Sequence, residues 1–366
     1  MDANRCPPDQ TLAWLRASLI RGVHPRALRA LLDWAGTPQA LLDAPSGEVR
    51  RLAGDEIADA LARGPDRRLL EAALRWAENG EHHILCLADP LYPPALLQLH
   101  VPPPVLYAKG RLELLAAPAL AIVGSRNATA QGLRDAESFA KAISSAGLAI
   151  VSGLAMGIDA AAHRGGLAEA GSSIAILGNG PDIVYPADNH ALASALASHG
   201  CLLSEFPLGT SPLARNFPRR NRLISGMSKG VLVVEAGIPS GSLGTAQLAI
   251  EQGRDVFAIP GSIHSPLSKG CHRLIQEGAK LVQNANDVLA ELGWPEREPQ
   301  AAGRAPDARP GDPVLEALGF ASATLDQLAA RTGLDAASLA ARMSMLELQG
   351  RIVALAGGTF QAVTAR

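Results

Sequence analysis

Residues 119–153 read ALAIVGSRNATAQGLRDAESFAKAISSAGLAIVSG. An apolar run, Ala119 to Val123, stops at a glycine; a stretch of helical length, Gln131 to Ser145, follows; a second run, Leu148 to Val151, stops at Ser-Gly. Short aliphatic runs without alternation are strands covered on both faces, and strand, helix, strand is the unit of a parallel sheet. Further apolar runs follow at Ser173 to Leu177, Cys201 to Leu203, Val231 to Val234, Val256 to Ile259 and Lys280 to Val282, with helical spacers such as Leu243 to Gln252. The fold class is therefore α/β, with a doubly wound, mostly parallel sheet.

Outward from this centre the texture changes. From Thr11 to Trp76 apolar residues recur at helical spacing (Leu12, Leu15, Leu19; Leu28, Leu31, Leu32; Leu69, Leu70, Ala73), which predicts an all-helical domain over 1–76. Within it, Gly22-Val-His-Pro25 has the form of a helix-hairpin-helix turn, with His24 where a second glycine is usual. A Pro-rich passage through Pro104 leads into the sheet domain, expected over 77–294, and a Pro-rich tether is expected over 295–311. Three short helices and a hairpin around Gly357-Gly358 then predict a winged helix over 312–366.

With 366 residues, 48% hydrophobic and 19% charged, the chain has an ordinary globular composition. No apolar run reaches membrane-spanning length and the start lacks a signal-peptide pattern, so a cytoplasmic location is expected. Cys6, Cys86, Cys201 and Cys271 are far apart and form no CxxC pair, so free thiols are expected and no metal.

Ligands of an open parallel sheet bind outside the carboxyl ends of its strands. Six loops there are rich in glycine and hydroxyl residues: Gly124-Ser-Arg126, Ser152-Gly153 onward to Asp159, Gly178-Asn-Gly180, Ser204-Glu-Phe-Pro207, Glu235 to Thr245 with Ser240, Gly241 and Ser242, and Pro260-Gly-Ser262. Glycine permits close backbone approach and helix N-termini favour anions, so a phosphate ligand is expected. GxGxxG and GxxxxGK[ST] are both absent, which argues against NAD and against the usual nucleotide hydrolases; no cofactor is expected. The net charge of -2 conceals an asymmetry: residues 206–234 contain no Asp or Glu, but do contain Arg215, Arg219, Arg220, Arg222 and Lys229 around Phe217. Arginines around an aromatic ring suit an unpaired strand, its phosphates on guanidinium groups and a base on the ring. The winged helix, with four basic and five acidic residues, is expected to bind protein and not DNA. Asp159 and His163, four apart, are the one candidate acid and base pair, and a structural contact is the plainer reading.

The motifs Gly124-Ser-Arg126, Ser152 to His163, Leu177-Gly-Asn-Gly180 to Tyr185-Pro186, Ser204-Glu-Phe-Pro207, Phe217-Pro-Arg-Arg-Asn-Arg222, Ser240-Gly-Ser-Leu-Gly-Thr245, Gly253 to Gly261 and Leu274 to Ala279 occur in the order found in the DprA/Smf family, which the chain resembles over nearly its whole length. The resemblance implies an extended Rossmann-like domain flanked by a helical region and a winged helix. It also implies binding of single-stranded DNA without sequence preference, homodimerisation, and loading of RecA onto incoming DNA coated by single-strand binding protein during natural transformation. Binding residues carried over by motif are Arg126, Phe217, Arg219, Asn221 and Arg222; Arg215 and Lys229 come from the charge pattern. Met156 stands where several relatives have Lys or Arg. Apolar positions between Leu243 and Ile263 are the expected protein contacts. The alternative is an enzyme: Gly-Ser-Leu-Gly-Thr245 also resembles the loop of the lysine-decarboxylase-like nucleoside monophosphate phosphoribohydrolases. That family's Pro-Gly-Gly start and closing glutamate are lacking.

Overall fold

The computed structural model describes residues 6–295, 312–319, 322–355 and 357–362. It divides into two compact units, one up to Trp294 and one from Pro295. The tether expected over 295–311 lies, apart from Pro295, outside the described residues.

The first unit begins with six helices, α1 Pro8–Ser18, α2 Pro25–Ala35, α3 Pro38–Leu42, α4 Ser46–Ala53, α5 Asp55–Arg63 and α6 Arg67–Ala77. Its strands are β1 His82–Cys86, β2 Val105–Gly110, β3 Ala119–Val123, β4 Ala149–Ser152, β5 Ser173–Ile176, β6 Cys201–Ser204, β7 Gly230–Val233, β8 Asp255–Ala258 and β9 Lys280–Leu281. From β3 onward they alternate with α7 Ala130–Ser145, α8 Ile158–Leu167, α9 His190–His199, α10 Asn216–Gly226, α11 Gly241–Glu251, α12 Lys269–Gln276 and α13 Ala285–Glu291. Among the described residues the nine strands form one sheet of order β1-β2-β6-β5-β4-β3-β7-β8-β9. Every pair from β6 to β9 is parallel, whereas β1 on β2 and β2 on β6 are antiparallel.

The all-apolar strands are a consequence of burial on two sides. Leu120 and Ile122 of β3 point into a core with Phe139 and Ile143 of α7 and Val288 of α13, while Ala121 and Val123 face Leu223 and Ile224 of α10 and Ala246 of α11. Leu15 of α1, Leu19 just after it and Ala73 of α6 pack on Ile84, Val105 and Tyr107 of the antiparallel edge, so the helices share a core with the sheet. Each such Leu, Ile, Val or Phe side chain stabilises the fold by roughly 1.5–3 kcal/mol when fully buried.

The second unit holds α14 Pro313–Leu318, β10 Ala323–Thr324, α15 Leu325–Thr332, α16 Ala336–Leu348, β11 Ile352–Leu355 and β12 Thr359–Ala362, with sheet order β10-β12-β11. Gly357 and Gly358 turn the hairpin at φ +85° and +69°, values other residues rarely adopt. Three helices around Leu318, Leu328, Leu339 and Met343, closed by the hairpin, are a winged helix.

Candidate nucleic-acid interface

The chain leaves β3 toward β4 on one side of the sheet, and later fills the other side of β3 with β7. Loops beyond such a switch point run apart and leave a crevice at the carboxyl ends of the strands. Here it is a cleft of about 660 Å³. Gly124, Ser125, Arg126 and Asn127 after β3 form one wall, and Ser240, Gly241, Ser242 and Thr245 at the start of α11 form the opposite one. Phe217, Arg220 and Asn221 of α10 and the Tyr185 ring also line it.

Most glycines of this edge serve packing inside the protein. A Cβ on Gly124 would come 2.7 Å from Ile158 Cγ1, one on Gly153 would come 2.5 Å from Arg220 Nη2, and one on Gly178 would come 2.7 Å from the Phe217 ring. Gly241 differs, because a Cβ there meets nothing within 4 Å. The backbone donors are similarly divided. Glu235 accepts from Thr129 N–H at 2.9 Å and from its hydroxyl at 2.6 Å, so the N-terminus of α7 already holds a carboxylate. Asp159 accepts from Gly153 N–H at 3.0 Å and Ala155 N–H at 3.3 Å, which fills the loop after β4. At α11, by contrast, the cap is a neutral hydroxyl: Ser240 Oγ accepts from Ser242 N–H at 3.3 Å and lies 2.7 Å from Ser242 Oγ. The expectation of six equivalent anion loops is thus narrowed, since internal carboxylates hold the donors of two and close packing accounts for the glycines of others.

The cations are also sorted by the fold. Arg126 is exposed and its guanidinium lies 5.7 Å from the Phe217 ring centre. The Tyr185 ring is inclined at 41° to Phe217 with centres 5.7 Å apart. Arg215, exposed, stands at the N-cap of α10. Arg220 is buried at 4% exposure; it donates to the Gly153 carbonyl at 2.9 Å and to the Ile176 carbonyl, and its Nε donates to Asn221 Oδ1 at 3.3 Å. Burial lowers its pKa to about 10, so it remains a cation at neutral pH under the cleft. Asn221 in turn donates to the Gly241 carbonyl at 3.4 Å and ties α10 to the start of α11.

Arg219 and Arg222 are partly committed elsewhere. Both bind the same buried Glu205 oxygen, Arg219 Nη2 at 3.1 Å, and Arg222 also donates to the Val101 carbonyl at 2.8 Å. Arg222 is the less exposed of the two, with 22% of its side chain open. Lys229 requires a correction to its place in the basic run. It directly precedes β7, and its N–H bonds Ala119 O at 2.8 Å, so it stands at the amino ends of the strands, opposite the cleft. Thr245 is buried, and its hydroxyl turns back toward the Gly241 carbonyl at 3.5 Å.

Asp159 and His163 do not form an acid and base pair. His163 is fully buried, with Nε2 accepting from Leu154 N–H at 3.3 Å and Nδ1 2.7 Å from Ser173 Oγ. Burial, with Arg220 and Arg164 adding repulsion, drives its pKa down to about 3 and keeps it neutral. Burial pushes the Asp159 carboxyl upward, against the opposing pull of Arg220. Among the described residues no group of three His, Cys, Asp or Glu side chains has metal-ligand geometry. Tyr185 and Arg220 are among the cleft residues missed from the sequence. Tyr185 carried a signal, an aromatic in the segment after the third glycine loop; Arg220 was visible only as one more arginine of the acid-free run.

A family model described as DNA recombination-mediator protein A matches residues 83–293, and one described as DprA winged helix domain matches residues 297–358. Protein Smf of Escherichia coli is 42% identical over 301 residues, 80% of each chain. The X-ray structure of DNA processing protein A from Streptococcus pneumoniae superimposes with TM-score 0.67 at 36% identity, covering 78% of this chain and 97% of that one. A structure of DNA processing protein A from Helicobacter pylori, concerned with its single-stranded DNA binding mode, gives TM-score 0.53 at 29% identity over 58% and 95% of the two chains. With its nine-stranded sheet, its switch-point cleft and its winged helix, the chain belongs to the DNA recombination-mediator protein A (DprA/Smf) family.

Proposed function

We propose that the chain binds single-stranded DNA without sequence preference along the carboxyl edge of its sheet. The observation that carries this reading is the Arg126, Phe217 and Tyr185 assembly at the mouth of the cleft, facing the open start of α11. A base stacks on the rings while phosphates lie between Arg126 and the start of α11, where the Gly241 N–H and the Ser240 and Ser242 hydroxyls are presented, with Arg215 and the half-exposed Arg219 along the path. Guanidinium groups, backbone donors and ring faces do not discriminate among bases. Support comes also from the single-stranded DNA binding mode ascribed to the Helicobacter pylori relative. The protein is no enzyme in this reading. The nucleoside monophosphate hydrolase alternative rests on the Gly-Ser-Leu-Gly-Thr245 loop, which lacks that family's Pro-Gly-Gly start and closing glutamate.

As a recombination mediator, the protein then passes the strand to RecA, in competition with single-strand binding protein and as a homodimer, during natural transformation; these roles follow from family membership. The winged helix serves protein contact, because Arg342, the one arginine on α16, is paired with Asp312 at 3.0 Å. Among the described residues no helix is long and apolar enough to cross a membrane. Titrating fluorescent oligo-dT at several salt concentrations, with light scattering for stoichiometry, tests the reading. Salt-dependent binding, equal for dT and mixed-sequence strands, is expected. Absence of binding, or release of adenine from AMP, overturns it.

A further inference from the structure

Two of the four cysteines lie side by side. Cys86, the last residue of β1, directs its thiol at Cys6 Sγ across 3.4 Å, although 80 positions separate them. Cys6 in turn donates to Gln10 Oε1 at 3.2 Å in α1. Cys201 and Cys271 are buried singly, each with only backbone carbonyls at its sulfur. The paired sulfurs sit where the chain enters its first helix, one residue before Pro7, and Cys6 keeps 8% of its surface in water whereas Cys86 has none.

We propose that Cys6 and Cys86 form an oxidation site, at which a hydroperoxide converts the two thiols to a disulfide that ties the start of the chain to β1. The chemistry closes without another reagent. The Cys6 sulfur attacks the O–O bond of hydrogen peroxide, giving a sulfenic acid and one water. The Cys86 sulfur then attacks the sulfenic sulfur: the S–S bond forms, the S–O bond breaks, and the departing hydroxide takes the Cys86 proton as a second water. Two thiols supply two electrons to one peroxide. The sulfurs approach by about 1.3 Å to reach bonding distance, a movement open to Cys6 because it lies outside α1, which starts at Pro8. Burial holds the Cys86 thiol up at about 12, so Cys86 meets peroxide as an unreactive thiol and the first step falls to Cys6, the one residue of the pair that reaches water. The resulting loop encloses all of α1 to α6, so the helical region becomes covalently fastened at the sheet edge where Leu15 and Leu19 already pack.

The full-length protein is treated with a modest excess of hydrogen peroxide, quenched, unfolded and titrated with Ellman's reagent. Thiols are expected to fall from four to two, peptide mapping to find Cys6 joined to Cys86, and Tm to rise by roughly 5 °C until reductant is added. Cys6→Ser, which keeps a donor of similar size beside Gln10, is expected to keep its remaining three thiols through the same treatment. The double variant Cys201→Ala, Cys271→Ala is expected to lose both thiols it has. Four surviving thiols in the wild type, a Cys6 sulfinic acid beside a reduced Cys86, or cross-links between chains each overturn the proposal.

Discussion

Glu205 lies almost wholly out of water with two guanidinium groups on one of its oxygens, while the other, Oε1, has no hydrogen-bond partner. Removing Arg222 leaves this buried carboxylate on Arg219 alone. Arg222→Ala is therefore expected to lower unfolding free energy by about 2 kcal/mol in urea melts and to leave the salt slope of strand binding nearly unchanged. Arg126→Ala, at an exposed cation beside Phe217, is expected to do the opposite: stability holds, and the slope of log affinity against log salt falls by roughly 0.7. Equal slopes for Arg126→Ala and wild type place the phosphates elsewhere. His163 carries a pH prediction. Its folded pKa of about 3 lies below its unfolded value near 6.5, so between these values the unfolded chain takes up a proton that the folded one refuses. Stability is full above about pH 6.5 and declines as pH falls, by up to about 1.4 kcal/mol per pH unit from this group. Asp159, with its pKa raised, works in the other direction, so the test is a difference: His163→Gln is expected to show a shallower acid slope than wild type in urea melts between pH 7 and 4.5. Parallel slopes refute the neutral assignment. Residue types and their clustering were legible in the sequence, but the partner of each arginine was not. Glu205 reaches Arg219 and Arg222 only because α10 folds back against β5, the strand beside β6, which no linear spacing records.

Strands and loops were more legible than side-chain partners. All seven apolar runs from Ala119 to Val282 are strands, displaced by at most one residue at an end; in β3 to β8 burial on both faces leaves a nearly unbroken aliphatic signature, while the edge strand β9 is exposed. The two strands of the nine-stranded sheet not expected, β1 and β2, are the antiparallel pair at its edge; β1 opens with His82 and His83, and the short apolar run of β2, Val105 to Ala108, follows directly on Pro102-Pro-Pro104, which reads as loop. Loops were located correctly, but the reason for their glycines was not visible from one strand at a time. The difference is measurable at the level of the element. Gly153→Ala drives a methyl into the Arg220 guanidinium and is expected to lower Tm by several degrees. Gly241→Ala adds its methyl to open space at the first turn of α11, so Tm is expected to stay or rise slightly while strand affinity drops if the phosphate takes the proposed path there. If both variants bind normally, the start of α11 is not the anion site.

For the whole molecule, the division at Trp294 makes a direct experiment possible. A chain ending there retains the cleft with all its lining residues and is expected to keep its affinity for oligo-dT within about twofold, because the charge asymmetry lies entirely in the first unit. A loss of tenfold or more in fluorescence titrations assigns the winged helix a direct part in DNA binding. The carboxylates of Glu235 and Asp159 also bear on the speed of binding. Loops fastened by the protein's own anions keep their shape without an incoming phosphate, so capture of a strand requires little ordering of the protein. Encounter then becomes the slow step, guided by the field of Arg126 and its neighbours, and added salt is felt chiefly as a slower association rate.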